Sequence, residues 1–192
     1  AYIAAKANIL RYQTKIDVAV LNWTDKNIRK LKTRGSVIKI KSPARIKLKL
    51  LGKHNKMNAV LAARATGLFG VPFIVSYRIL AAKMKSLPYA LEFIGEKNGV
   101  KYYNDSESTT FEATQAALES FVKKPILIVG GYDKGIDIKP LAVLIEKKAK
   151  AVYAIGQTSH KIHELLKAKS FHAGTLETAI QLIKKTAKKG DI

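Results

Sequence analysis

Apolar and polar positions along the 192-residue chain change rhythm near residue 91. Before that point the pattern reads helix, strand and irregular structure. AYIAAKANILRYQ, at the start, has the spacing of an amphipathic helix. IDVAVLNW (16–23) is a short apolar run suited to a buried strand, with Asn22 and Asp25 marking the loop after it. VIKIK (37–41) and RIKLKLL (45–51) alternate apolar and basic residues, so both predict half-exposed strands with lysines toward water, separated by Pro43. A long helix is predicted from Asn55 to Leu68, with Met57, Val60, Leu61 and Leu68 on one side and Gly67, Gly70 and Pro72 ending it. A second covers 73–85. LPYA (87–90) breaks the pattern and reads as a linker.

From residue 91 strands alternate with helices. LEFIGEKNGVKYYN is a hairpin in which Asn98-Gly99 supplies the turn. TFEATQAALESF is a helix, PILIVGG (125–131) a continuous apolar strand, PLAVLIEKKA a helix and AVYAIG (151–156) another buried strand. SHKIHELLKA, FHAG and LETAIQLIKKTAKKG continue as helix, strand and helix. This alternation implies an α/β fold with a mostly parallel sheet. Ligands of such sheets bind beyond the C-terminal strand ends. Those ends are Asn104-Asp105-Ser106, Gly130 to Lys134 and Gly156-Gln157-Thr158, all rich in polar residues or glycine. Gly190-Asp191-Ile192 looks like the start of one more strand, and the first residue is not Met, so further chain is expected at both ends.

Charge divides the chain at the same place. Residues 1–91 hold 19 Lys or Arg against only Asp17 and Asp25, a net of +17, whereas 92–192 hold 16 against 12 acids, a net of +4. A basic balance invites a nucleic-acid reading. Lysine outnumbers arginine 29 to 6, however, and base readout favours arginine. With no recognition motif for DNA or RNA either, nucleic acid is disfavoured as a partner. There is no cysteine, which excludes a disulfide scaffold, a thiolate metal site and a cysteine nucleophile, and fits a reducing compartment. No apolar run has membrane-spanning length. The four histidines, at 54, 160, 163 and 172, lack metal-ligand spacing; His160 and His163 read as surface residues.

Three constellations could carry chemistry. In GKHNKMN (52–58), Asn55 and Asn58 share a helical face and could read a base or ribose edge, or Asn55 could simply cap the helix beside a surface His54. In YYNDSEST (102–109), Ser106, Ser108 or Thr109 could cap the following helix, but Asp105 is a carboxylate at a strand end, where it could hold a ribose, a water or a metal-bound nucleotide. In GGYDKG (130–135), glycines allow close approach and Lys134 could meet a carboxylate, or the loop could be a tight connection with a solvent lysine. Neither a P-loop nor a GxGxxG fingerprint is present.

Together these segments resemble the Mur ligases. GKHNKMN is similar to that family's G-x-H-N-x-x-N segment, and YALEFIGEKNGVKYYNDSEST to its domain junction L-P-H-R-x-E ending in N-D-S-K-A-T. PILIVGGYDKGID resembles the glycine loop that follows, AYIAAK the Y-x-x-A-K segment and VLNWTD the V-x-N-x-D-D segment. The N-D-S and G-G-x-D-K-G pair is most similar to the D-glutamate-adding branch. The resemblance implies the later part of a central ATP-binding α/β domain over 1–88 and a truncated, Rossmann-like C-terminal domain over 89–192. It implies a cytoplasmic, monomeric, ATP-dependent ligase that joins D-glutamate to UDP-N-acetylmuramoyl-L-alanine through an acyl phosphate, with ATP and Mg2+. By resemblance Lys6 would be the carbamylated, metal-bridging lysine. His54, Asn55, Asn58 and Asp105 would contact nucleotide, and Thr109 and Lys134 would receive D-glutamate. Residues near Leu87–Ala90 would be the hinge. Tyr89 and Ala90 stand for the His-Arg of the junction motif, and Glu107 for its lysine. The family's P-loop would precede Ala1, so the chain alone is expected to be inactive. Two alternatives are a Mur-ligase-derived module without activity and a basic nucleic-acid-binding protein.

Overall fold

The computed structural model describes residues 2–43, 48–166 and 169–192. The chain forms two compact units, one ending at Lys85 and the other running from Ser86 to Ile192. Both have the α/β character expected.

The first unit begins with helix α1 (Tyr2–Arg11) and strand β1 (Val18–Asn22). Strand β2 (Ser36–Ile40) then pairs with β1 in parallel, Val18 opposite Ser36 through Asn22 opposite Ile40. Helices α2 (Lys53–Gly67) and α3 (Phe73–Lys83) complete the unit. Ile40, Leu48, Met57, Ala59, Val60, Ala63 and Tyr77 form its core. Phe73 stacks on the fully buried Tyr77 with ring centres 5.6 Å apart. The only two acids of this unit are both spent on turns. Asp17 accepts from the Thr14 amide at 2.6 Å and its hydroxyl at 2.8 Å, which holds its carboxyl below the ordinary value. Asp25 accepts from the amides of Asn27 and Ile28 at 2.7 and 3.2 Å, starting the short 3₁₀ turn Ile28–Lys30.

Two expectations change in this unit. Of the strand expected over 45–51, Arg45, Ile46 and Lys47 lie outside the described residues, and Leu48 to Leu51 are irregular. Leu48 is instead a core residue, and the Leu51 carbonyl accepts the Asn55 side-chain amide at 2.7 Å, which ties this segment to the helix start. Gly52 turns the chain with φ 93°, so α2 opens at Lys53 rather than Asn55. Leu68 falls just beyond the helix and is 47% exposed, outside the core.

The second unit opens with the antiparallel hairpin β3 (Glu92–Lys97) and β4 (Val100–Asn104). Asn98 and Gly99 both take left-handed φ, 54° and 74°, as a two-residue hairpin turn requires. Helix α4 (Phe111–Glu119) leads to the parallel sheet β5 (Ile126–Gly130), β6 (Ala151–Ile155) and β7 (Ser170–Gly174), in the order β5-β6-β7. Helices α5 (Lys139–Lys148), α6 (Ser159–Leu166) and α7 (Leu176–Thr186) alternate with these strands. Strand β6 is central and apolar on both faces, as a strand buried between helical layers must be. Val152 and Ala154 join Leu118, Ile145, Ile162 and Leu166; Tyr153 faces the other way, toward Ala173, Ala179 and Ile183. Each large side chain so buried contributes about 1.5–3 kcal/mol. The Tyr153 hydroxyl keeps a partner in Thr186 Oγ1 at 2.9 Å. Among the described residues no helix is long and apolar enough to cross a membrane.

The segment Gly190-Asp191-Ile192 has no strand assignment, yet it makes strand-like bonds on two sides. The Lys101 amide donates to the Asp191 carbonyl at 3.0 Å, the Gly190 amide to the Gly99 carbonyl at 2.7 Å, and the Ile126 amide to the Ile192 carbonyl at 2.7 Å. It therefore stitches the hairpin to the edge of β5. The Asp191 carboxylate fixes the stitch, taking Lys150 Nζ at 2.6 and 2.7 Å and the Lys188 amide at 2.8 Å. Lys150 first, and then the Lys188 amide, hold this carboxyl below its ordinary value. A carboxyl lowered by folding stabilises fully above its unfolded pKa, and the benefit disappears as pH falls through the folded value. Thermal unfolding of wild type and Asp191→Asn should therefore differ most near neutral pH. The gap should close progressively below about pH 4, the unfolded carboxylate value; a gap that persists at low pH would refute the assignment.

Candidate functional site

The ends of β5 and β6 approach too closely for side chains. A Cβ on Gly130, whose φ is 133°, would lie 2.0 Å from the Ile155 carbonyl oxygen, and one on Gly156, at φ 68°, would lie 2.8 Å from the Gly131 Cα. Polar groups bind the two loops together above this contact. Thr158 Oγ1 accepts from the Gly131 amide at 3.2 Å, and the Thr158 amide donates to the Gly131 carbonyl at 3.2 Å. Gln157 Oε1 accepts from the Asp133 amide at 3.1 Å. Asp133 in turn accepts from the Gly135 amide at 2.8 Å and pairs with Lys161 at 3.3 Å. The Gly135 amide foremost, then Lys161, keeps its carboxyl below the ordinary range. Asp133 is thus a loop-shaping residue, while Lys134 beside it is exposed.

At the end of β4 a second loop is equally ordered. Asn104 Oδ1 accepts from the Ser106 amide at 3.1 Å, and the Asp105 carbonyl from the Ser108 amide at 3.0 Å. Asp105 Oδ1 accepts from the Leu91 amide at 2.8 Å, and the Glu107 amide donates to the Tyr89 carbonyl at 3.1 Å. The segments 89–91 and 105–107 therefore run side by side. This places Ala90 and Glu107, the two positions where the resemblance expects cations, on adjoining backbone. The helix cap is none of the three hydroxyls expected. Thr110 takes that position, with its Oγ1 accepting from the Ala113 amide at 3.2 Å. The reason is helix phase: α4 begins at Phe111, so the residue before it, Thr110, is the one in cap position, with the extended backbone of a cap, φ −121° and ψ 159°. Thr109 is exposed one residue earlier.

In the first unit, His54 and Asn58 are exposed on the opening turns of α2, and Asn55 is half-buried. Asn55 does not cap the helix. Gly52 holds the cap position without a side chain, and the Asn55 amide nitrogen is committed to Leu51. Lys6 is exposed on α1. In the second unit, no hydrogen bond or ion pair among the described residues joins Asp105 or Thr109 to Lys134. The expected surface role of the other histidines is half met: His160 is exposed and stacks on His172 with centroids 4.1 Å apart, whereas His163 is half-buried and shares a hydrogen bond with Ser170 at 2.9 Å. Magnesium demands oxygen ligands in near-octahedral array. Among the described residues no group of three or more His, Asp or Glu could hold a metal ion, and Lys6 offers oxygen only as a carbamate. These residues do not by themselves fit Mg2+.

The family model described as Mur ligase, glutamate ligase domain, matches residues 91–192. A UDP-N-acetylmuramoylalanine–D-glutamate ligase of Aquifex aeolicus is 34% identical over 211 aligned positions, covering 100% of this chain and 50% of that protein. Among solved structures, MurF from Acinetobacter baumannii superposes with TM-score 0.74 at 18% identity, over 95% of this chain and 49% of that one. Mycobacterium tuberculosis folylpolyglutamate synthase, complexed with ADP and AMPPCP, superposes with TM-score 0.73 at 17% identity, over 95% of this chain and 51% of that one. Both superpositions show a shared fold. The chain spans about a third to a half of the length of the curated relatives it matches.

The cap assignment separates two neighbouring threonines. Thr110→Ala should cost about 1 kcal/mol of stability in chemical denaturation. Thr109→Ala should leave stability within about 0.5 kcal/mol of wild type, and a reversed order would show that α4 is capped elsewhere.

Proposed function

Because the chain belongs to the Mur ligase family, we propose that it is part of an ATP-dependent ligase that adds D-glutamate to UDP-N-acetylmuramoyl-L-alanine in peptidoglycan precursor synthesis. The observation that carries this reading is the alignment of the whole of this chain with half of a D-glutamate ligase, at 34% identity. Two polar strand-end loops at the sites of the matching motifs support it. ATP use is supported by the nucleotides in the folylpolyglutamate synthase structure. In this reaction the substrate carboxylate attacks the terminal phosphorus of ATP, forming an acyl phosphate and releasing ADP. The amine of D-glutamate then attacks the acyl carbon, phosphate leaves, and the amine loses a proton as the amide forms. The reaction belongs in the cytoplasm, where ATP and the precursor nucleotide are found.

The chain's own residues divide into binding groups. His54, Asn55 and Asn58 face the base and ribose, the Asn55 carbonyl oxygen being the part of its amide not tied to Leu51. Asp105 meets the nucleotide from the second unit. Exposed Lys134 supplies a point charge for one D-glutamate carboxylate, and the Thr109 hydroxyl a hydrogen bond for the other. Lys6, as its carbamate, would contribute oxygen to a metal completed by residues elsewhere in the polypeptide. A second reading, a binding module without activity, is favoured by Ala90 and Glu107. A carboxylate about 4 Å from a phosphate, in place of a cation, costs several kcal/mol at an effective dielectric near 20.

ADP release by the complete polypeptide containing this chain tests the two readings. Turnover that requires both UDP-N-acetylmuramoyl-L-alanine and D-glutamate is expected, with Lys134→Ala raising the D-glutamate KM by roughly tenfold or more, about 1.4 kcal/mol. Absence of turnover in the wild type would favour the inactive module. Calorimetry on Ala90→Arg/Glu107→Lys provides a separate check: nucleotide affinity should rise if the site still binds ATP, whereas unchanged affinity would mean that the motif survives only as fold.

A further inference from the structure

The connection between the units was expected to hinge near Leu87–Ala90, but its two halves differ sharply. Met84 to Leu87 has no regular structure, and Leu87 is 74% exposed. Tyr89 to Leu91 is pinned. The Tyr89 amide donates to Glu92 Oε2 at 2.9 Å, the Tyr89 carbonyl accepts from the Glu107 amide at 3.1 Å, and the Leu91 amide donates to Asp105 Oδ1 at 2.8 Å. These bonds hold a backbone that side chains disfavour. Tyr89 has φ 62° and Leu91 φ 48°, both left-handed and neither a glycine. A bulky γ-branched residue such as Leu91 does not take this conformation unless its surroundings impose it.

We propose that residues 89–91 are a latch rather than a hinge, and that Asp105 is the positioning residue that holds it shut. The Ala90 amide also donates to the Leu87 carbonyl at 3.2 Å, so bending between the units is then confined to Met84–Ser86. A charge-assisted bond to the Leu91 amide offsets the left-handed strain of that residue. The same bond orients the Asp105 carboxylate, leaving Oδ2 as the oxygen that can face a ligand. Latch and carboxylate are therefore coupled: whatever loosens the turn also disorders the group that would meet the nucleotide. That last consequence rests on the nucleotide reading above; the latch itself does not.

Amide hydrogen exchange at Glu107 reports the latch, because its N–H bonds to the Tyr89 carbonyl and not to Asp105. In the chain as described, wild type and Asp105→Asn, which keeps an acceptor oxygen, should exchange slowly. Asp105→Ala should exchange about tenfold faster or more. Adding Leu91→Gly to Asp105→Ala should bring exchange back to within about threefold of wild type, since glycine takes the left-handed conformation without strain. Leu91→Gly alone should exchange no faster than wild type. Unchanged Glu107 exchange in Asp105→Ala, or acceleration by Leu91→Gly alone, would overturn the latch. Titration of the complete polypeptide with Mg-ATP supplies the second arm. Recovered exchange with unrecovered affinity in the Asp105→Ala/Leu91→Gly protein is expected, because the substitution removes Oδ2 together with the latch bond and glycine cannot replace a lost ligand contact. Recovered affinity would overturn the coupling, since the carboxylate would then give the nucleotide nothing of its own. If no protein binds ATP, the nucleotide reading fails, and the exchange measurements alone still decide the latch.

Discussion

Val152, Tyr153 and Ala154 lose nearly all contact with water because β6 is paired on both edges and covered on both faces. This double burial is the constraint from which the second unit follows. Parallel neighbours require crossovers, so helices must lie on either side of the sheet, and all three strands end in the same direction. Their ends then crowd together, and only glycine is tolerated where Gly130 meets the Ile155 carbonyl. The loops that leave this crowded edge have nowhere to go but outward. Their polar groups bind each other first, as Thr158 and Asp133 do, and present what remains, as Lys134 does.

Local pattern and nonlocal contact explain what could be read before the structure. The alternation of strands and helices after residue 91 was legible because each element carries its own periodicity and its own stop signal. The Asn98-Gly99 turn was legible for the same reason. RIKLKLL also alternates, but its described residues, Leu48 to Leu51, are irregular, and Leu48 packs into the core with Ile40, Met57, Val60 and Tyr77. At the candidate site, residue types at strand ends marked Asp105 and Lys134 correctly as strand-end groups. The contacts that shape these two loops were not legible. Leu91 is fourteen positions from Asp105 and Lys161 twenty-eight from Asp133, and nothing in either local sequence announces the contact. The misplaced cap is a subtler case, since Ser106, Ser108 and Thr109 are all suitable hydroxyls and only helix phase chooses Thr110 instead.

The two departures from the family motif gain meaning from their adjacency. Ala90 and Glu107 lie on backbone segments joined by the Tyr89–Glu107 hydrogen bond. They are changes to one small region, and both move its charge in the negative direction. The contacts that shape this region are made mainly by backbone groups and by Asp105 and Glu92, so the fold of the loop survives either substitution.

The uneven charge of the chain has a consequence for the medium around it. With Asp17 and Asp25 both drawn into turns, the lysines and arginines of the first unit have almost no internal anion to answer them. Dissolved ions screen their mutual repulsion over a distance of about 10 Å at 0.1 M salt. A cloud of counterions is in that sense part of the first unit's architecture, as much as any side chain. The second unit, with 12 acids of its own among residues 92–192, carries most of its counterions covalently.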